Sequence, residues 1–336
     1  MTAVDSLDAQ PSSFDLAGKR VWVAGHRGMV GSALVRRLSR ESCKILTVDR
    51  TDVDLTRQIQ VERWMEKNRP DVVFVAAARV GGIMANATHP GEFLYENVMI
   101  GTNIVHSARE CGVEKLLFLG SSCIYPKHAP QPIPEGALLT GALEPTNEGY
   151  AIAKIAALKL AQYYNQHHAR RFISAMPTNL YGPNDNFDPV NSHVMPALMR
   201  KIHEAKRSRS RVIEIWGSGN PLREFLHVDD LADACTFLIK TYDGPSPINV
   251  GSDHEVSIRE LAEIIADVVG FDGHFVFNTS RPDGAPRKLV DSSRIRALGW
   301  RPRISLRDGI ADLYSFWRTA EASGAPALAD ASHGRG

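Results

Sequence analysis

Residues 21–38 read VWVAGHRGMVGSALVRRL: an apolar strand, a tight turn and a segment of helical period in immediate succession. Three glycines punctuate it. Gly25 permits the tight turn, Gly28 lets the backbone approach a pyrophosphate, and Gly31 allows close helix–strand packing. The helix start, through Met29 and Val30, offers free N–H groups and the positive end of a dipole. At a first strand–helix junction this pattern predicts a dinucleotide cradle. The second strand ends in Asp49-Arg50. An acid there holds a ribose 2′-hydroxyl, whereas arginines accommodate a 2′-phosphate. Arg50, joined by Arg27 inside the glycine loop, favours NADP(H); Asp49 dissents.

Outward from this stretch, strands and helices alternate. Strands are expected at Arg20–Ala24, Lys44–Val48, Asp71–Ala76, Lys115–Leu119 and Phe172–Met176. Helical stretches are expected at Gly28–Arg40, Thr56–Asn68, Gly91–Cys111 and Asn147–His168. The runs are continuously apolar, as when helices cover both faces of a parallel sheet. The fold class is therefore α/β: a Rossmann-type, doubly wound parallel sheet with a smaller interleaved C-terminal substrate lobe. After Pro177 the rhythm breaks. Helices are read at His193–Ala205, Asp229–Thr241 (capped by Asp229 and Asp230), Ser257–Gly270, Ser292–Leu298 and Ser305–Thr319. Strands are read at Val212–Trp216 and Ile248–Val250, the latter returning to the main sheet. The expected division is 16–180 and 222–252 for the cofactor lobe, and 181–221 and 253–320 for the substrate lobe. Residues 1–15 and 321–336 read as loose tails.

Composition narrows the function. Lys and Arg number 39 against 38 Asp and Glu in 336 residues, so a nucleic-acid-binding surface is not expected. No apolar run reaches the roughly 18 residues of a membrane helix, so no membrane partner is expected. No secretory signal is visible, and four scattered cysteines without a CxxC pair suggest a reducing, cytoplasmic setting and no cysteine metal site.

The chemistry concentrates elsewhere. Tyr150 and Lys154 are four residues apart on one helix face. Gly120-Ser121-Ser122-Cys123 closes the fourth strand, where catalytic groups of parallel sheets commonly stand. A phenol titrates near 10 in isolation, and a neighbouring ammonium lowers that value. A serine hydroxyl beside it can hold a substrate oxygen.

These residues resemble the extended short-chain dehydrogenase/reductase superfamily. AAARVGGIMAN, GSSCIYPK, LEPTNEGYAIAKIA, MPTNLYGPNDNF, NSHVMPAL, WGSGNPLREFLHVDDLA and PDGAPRKLVD are similar, more narrowly, to its GDP-L-fucose synthase family. The resemblance runs from about Lys19 to Phe316. It implies NADPH, a homodimer, a GDP-sugar substrate, and 3,5-epimerisation of a 4-keto sugar followed by reduction. It assigns Ser121, Tyr150 and Lys154 to the reductase triad and Cys123 and His193 to proton transfer in epimerisation. It places Lys201, Trp216, Arg223 and Asp283 against the substrate, with Lys201 and Arg223 suited to a diphosphate. Pro177, Asn179 and Leu180 are expected along the nicotinamide, with Lys154 and His193 also touching the cofactor. Asp49 departs from the family's turn. The competing readings are a nucleotide-sugar epimerase or dehydratase with tightly held NAD, and a non-catalytic dinucleotide sensor.

Overall fold

The N-terminal strand, turn and helix open a parallel sheet. The computed structural model describes residues 13–168, 170–188, 192–281 and 283–323. The first lobe begins with β1 (Arg20–Ala24), α1 (Met29–Leu38), β2 (Lys44–Leu46), α2 (Gln58–Asn68) and β3 (Val72–Val75). It continues through α3 (Ile83–Thr88), α4 (Pro90–Glu110), β4 (Lys115–Leu119), α5 (Glu148–His168) and β5 (Arg171–Pro177). The chain then runs through β6 (Asn179–Tyr181), α6 (Val194–Arg207), β7 (Val212–Trp216), β8 (Leu222–His227), α7 (Val228–Thr241) and β9 (Ile248–Val250). It finishes with β10 (Glu255–Ser257), α8 (Ile258–Val269), β11 (His274–Asn278), β12 (Arg287–Lys288), α9 (Ser293–Ala297) and α10 (Leu306–Ala322).

The main sheet is all parallel, in the order β2-β1-β3-β4-β5-β9. Successive residues of a strand face opposite sides. Val21 and Val23 therefore enter one core with α1 and α7, while Trp22 enters the other with α2, α4 and α5. Strand order reverses between β1 and β3, which opens a crevice at the carboxyl ends of the strands. A third core gathers α6, α8 and α10 against a second sheet, in which β8 meets β10, β12 and β6.

Several placements differ from the expected division. Leu222–His227 lies in the second sheet, and Ile295 and Trp300 pack into the core shared by α1 and α7. Phe14, within the expected tail, is buried beneath three cations: Lys19, Lys115 and Arg171 stand 5.7, 5.3 and 4.8 Å from its ring centre. Residues 1–12 and 324–336 of the expected tails lie outside the described residues. The cap of α7 also differs: His227 Nδ1 accepts the Asp229 N–H at 3.2 Å, and both aspartates sit in the first turn.

Gly31 is the tightest point of the glycine turn. A Cβ built there would stand 2.0 Å from the Gly25 carbonyl oxygen, backbone against backbone. Gly31→Ala is expected to cost roughly 1–3 kcal/mol of stability through overpacking. Thermal unfolding and dinucleotide titration read both consequences. A wild-type melting temperature with wild-type affinity would contradict this packing.

Candidate active site

Gly25 adopts φ +85° where its missing Cβ would fall 2.8 Å from the Ala77 backbone. Gly28 then serves as N-cap of α1 with no side chain bonding the first turn and no acid within it. The leading N–H groups of the helix, at Met29 and Val30, are thus left to an anion. A Cβ on Gly28 would meet only the Gly25 oxygen, at 3.5 Å, so the position is open on its outer side. This cradle fits a dinucleotide pyrophosphate. At its adenosine end the Arg27 Nη2 donates to Asp49 Oδ2 at 2.6 Å, and His26 Nε2 stands 3.4 Å from Asp49 Oδ1. Arg50 is exposed beside them. Beyond β5, Pro177 closes the strand and Asn179 is pinned by its Nδ2 donating to the Glu224 carbonyl at 2.7 Å.

The chemical groups converge where β4 ends. Ser121 caps a single 3-10 turn, its Oγ accepting the Cys123 N–H at 3.4 Å. From α5, Lys154 is 5% exposed and donates from Nζ to the Leu119 carbonyl at 2.9 Å. The same nitrogen stands 5.8 Å from the Tyr150 ring centre. Burial pushes Lys154 down to about 8, against the opposing pull of the nearby Cys123. An unfolded lysine keeps its proton to 10.5, so the desolvated charge costs stability at every pH below about 8 and that cost is relieved as pH rises. Tyr150 is pushed upward, first by burial and then by Cys123 as a thiolate. Desolvation of the phenolate thus outweighs the lowering expected from a neighbouring ammonium.

His193 is the N-cap residue of α6 and is open to solvent. Its imidazole is lowered by desolvation from the surrounding groups and then by the Lys288 ammonium. Lys288 on β12 is itself lowered by burial, with Cys123, Arg223 and Glu144 as its charged neighbours. It thus links Cys123 and His193 to Arg223. Arg223 donates from Nη1 to the Ala285 carbonyl at 2.7 Å and feels Asp283. Asp283 in turn accepts from the Ser218 N–H at 2.9 Å and its Oγ at 2.7 Å, which holds it below the usual carboxylate range.

Ser121, Cys123, Tyr150, Lys154, His193, Arg223 and Asp283 are consequently joined in one chain of neighbours. Lys201 and Trp216 are not. Lys201 Nζ donates to the Glu214 carbonyl, and exposed Trp216 lies against Arg281, whose guanidinium carbon is 4.9 Å from its ring centre. Lys288 escaped the sequence reading although it lies within PDGAPRKLVD, five residues after Asp283. Its register on β12 beside Arg223 on β8 is the signal that sequence spacing does not carry.

Comparison with known proteins agrees with this geometry. The model of the NAD dependent epimerase/dehydratase family matches residues 21–251. "GDP-L-fucose synthase 1" of Arabidopsis thaliana is 55% identical over 314 residues, covering 93% of this chain and 97% of that protein. "GDP-L-fucose synthase" of Escherichia coli K12 is 51% identical over 312 residues, covering 90% of this chain and 97% of its own. The solved structure of a GDP-L-fucose synthetase from Naegleria fowleri bound to NADP superposes with a TM-score of 0.85 at 29% identity, covering 94% of this chain and 97% of that one. Matched over most of its length by family model and relatives alike, the chain belongs to the NAD dependent epimerase/dehydratase family.

Proposed function

We infer that the protein converts GDP-4-keto-6-deoxy-D-mannose to GDP-L-fucose, inverting carbons 3 and 5 and reducing carbon 4 with NADPH. The observation that supports this reading is that two sets of proton-transfer groups are electrostatic neighbours through Cys123 and Lys288. Tyr150 and Lys154 serve reduction, and Cys123 with His193 serves epimerisation. The relatives named GDP-L-fucose synthase support it.

The 4-keto group acidifies the hydrogens on carbons 3 and 5. Cys123 as thiolate removes each in turn, releasing the first proton to solvent before it takes the second, with Lys288 and Lys154 supplying nearby positive charge. Ser121 donates a hydrogen bond to the oxygen of the resulting enolate, the position where charge develops. His193 returns a proton on the opposite face and refills from solvent, to which it is open. Bound NADPH supplies the hydride for carbon 4. Tyr150 then gives the 4-oxygen its proton; the raised phenol pKa keeps that proton in place at neutral pH. Lys154 stabilises the phenolate left behind.

We assign the dinucleotide to the six-stranded lobe, against Gly25, Arg27, Gly28, Met29, Val30, Gly31, Arg50, Pro177, Asn179 and Leu180. The second lobe takes the nucleotide sugar, with Arg223 suited to the diphosphate and Lys201, Trp216 and Asp283 as further contacts. A homodimer is supported by the exposed apolar side chains Ile59, Tyr95, Ile152 and Tyr163 on α2, α4 and α5. A cytoplasmic setting is supported by the four free cysteines. No helix among the described residues is long and apolar enough to cross a membrane.

Deuterium uptake by the 4-keto sugar in heavy water, with oxidised cofactor bound, tests the assignment. Wild type labels carbons 3 and 5. Cys123→Ser is expected to lose uptake by about 10²–10⁴-fold, while Tyr150→Phe keeps uptake but loses reduction by a similar factor. Normal labelling in Cys123→Ser would place the base elsewhere.

The alkaline limb of the reduction rate tests Lys154. The ammonium is present below about pH 8 and lost above it, so the rate falls through that region. Lys154→Met should be slow and lack the limb; an unchanged limb would assign it to another group.

Alkylation tests Lys288. Burial pushes the Cys43 and Cys111 thiols up. Iodoacetamide, which reacts with thiolates, should modify Cys123 ahead of both, as read by mass spectrometry. Lys288→Met should slow Cys123 alone. Equal slowing of all three would point to a general effect.

A further inference from the structure

We propose that Asp49 is a cofactor-specificity residue: it occupies Arg27 as an internal stand-in for the 2′-phosphate, and so narrows the preference for NADPH over NADH. This rests on the reading that the cleft takes NADPH.

Asp49 follows β2 by three residues and is fixed by its own turn, its carbonyl accepting from the Asp52 and Val53 N–H groups at 3.1 and 3.0 Å. Its carboxylate is used unevenly. Oδ2 takes the Arg27 guanidinium at 2.6 Å. Oδ1 is buried and has no hydrogen-bond partner; His26 Nε2 stands 3.4 Å away without bonding alignment. The Arg27 side chain is 73% exposed and so is free to follow a different anion. Arg50 is the other exposed guanidinium at this end.

A 2′-phosphate reaching Arg27 must share it with the Asp49 carboxylate, and like charges at that range repel. An unphosphorylated ribose brings no such charge and escapes the repulsion. Asp49 therefore lowers NADPH affinity and leaves NADH without that penalty. Removing its charge releases Arg27 to the phosphate.

The test is equilibrium binding, by calorimetry or by nicotinamide fluorescence, of NADPH and NADH to wild type, Asp49→Asn, Arg27→Ala and the double variant. Adenosine 2′,5′-bisphosphate against ADP isolates the same contact from the nicotinamide end. Asp49→Asn should shift the NADPH-to-NADH affinity ratio about tenfold or more toward NADPH, the scale of one charge-assisted contact. Arg27→Ala should cost NADPH more in the Asp49→Asn background than in wild type, because only there is the guanidinium uncommitted. Asp49→Ser supplies the same comparison should the amide disturb the turn, and thermal unfolding verifies that each variant is folded. An unchanged ratio in Asp49→Asn and Asp49→Ser, with Arg27→Ala still selectively weakening NADPH, overturns the proposal and leaves the cofactor reading standing. Arg27→Ala that weakens NADPH and NADH equally, together with a wild type that does not distinguish the bisphosphate from ADP, overturns both.

Discussion

Lys154 brings an ammonium into a site that is 5% exposed and fastens it to the last carbonyl of β4 at 2.9 Å. That contact ties the chemistry to the frame. The same strand end leads into Ser121 and Cys123, and the same helix presents Tyr150 one turn away. A desolvated lysine is costly to a fold, and the enclosing structure compensates for it with the Leu119 carbonyl and the Phe118 ring, 5.0 Å away. What the protein gains is a positive charge of high local effect, because little water screens it. The phenol beside it stays protonated until the sugar oxygen needs the proton.

The second half of the site reaches this frame through a different buried charge. Glu224 is fully buried on β8 and accepts backbone N–H bonds from Ser252 at 2.7 Å, Asp253 at 2.9 Å and Val290 at 3.2 Å. Its own carbonyl holds Asn179, just past the end of β5. One side chain thereby ties the segment after β9, the segment after β12 and the strand that bears Arg223. Lys288, two residues before Val290, is set between Cys123 and Arg223 by the same pairing. Positions far apart in the chain meet because β12 and β8 share a register, and Glu224 holds the segments after β9 and β12 against β8.

The first lobe was legible because each of its strands is a short apolar run between helices that cover both faces. Arg20–Ala24 and Lys115–Leu119 fall where the hydrophobic pattern puts them. The second lobe hid for physical reasons. LREFLH of β8 reads as charged and polar, yet Glu224 is buried there because backbone N–H groups satisfy it. β6, β10 and β12 are three residues or fewer, below the length at which alternation can be read. The cluster of Ser121, Cys123, Tyr150 and Lys154 was visible as motif. Lys288 was not, since its partners come from strand register. The direction of the Tyr150 shift was misjudged for a related reason: sequence places an ammonium nearby but says nothing of how dry the phenol becomes.

Cys123, His193 and Tyr150 act on one sugar, inverting two carbons and then reducing a third. The most direct measurement gives purified protein GDP-4-keto-6-deoxy-D-mannose with a limiting amount of NADPH, following nicotinamide absorbance and the sugar product by NMR. GDP-L-fucose is expected in equal amount to the nicotinamide oxidised, inverted at carbons 3 and 5. A reduced sugar that keeps its original configuration at both carbons, or sugar turnover with no loss of NADPH, would contradict it.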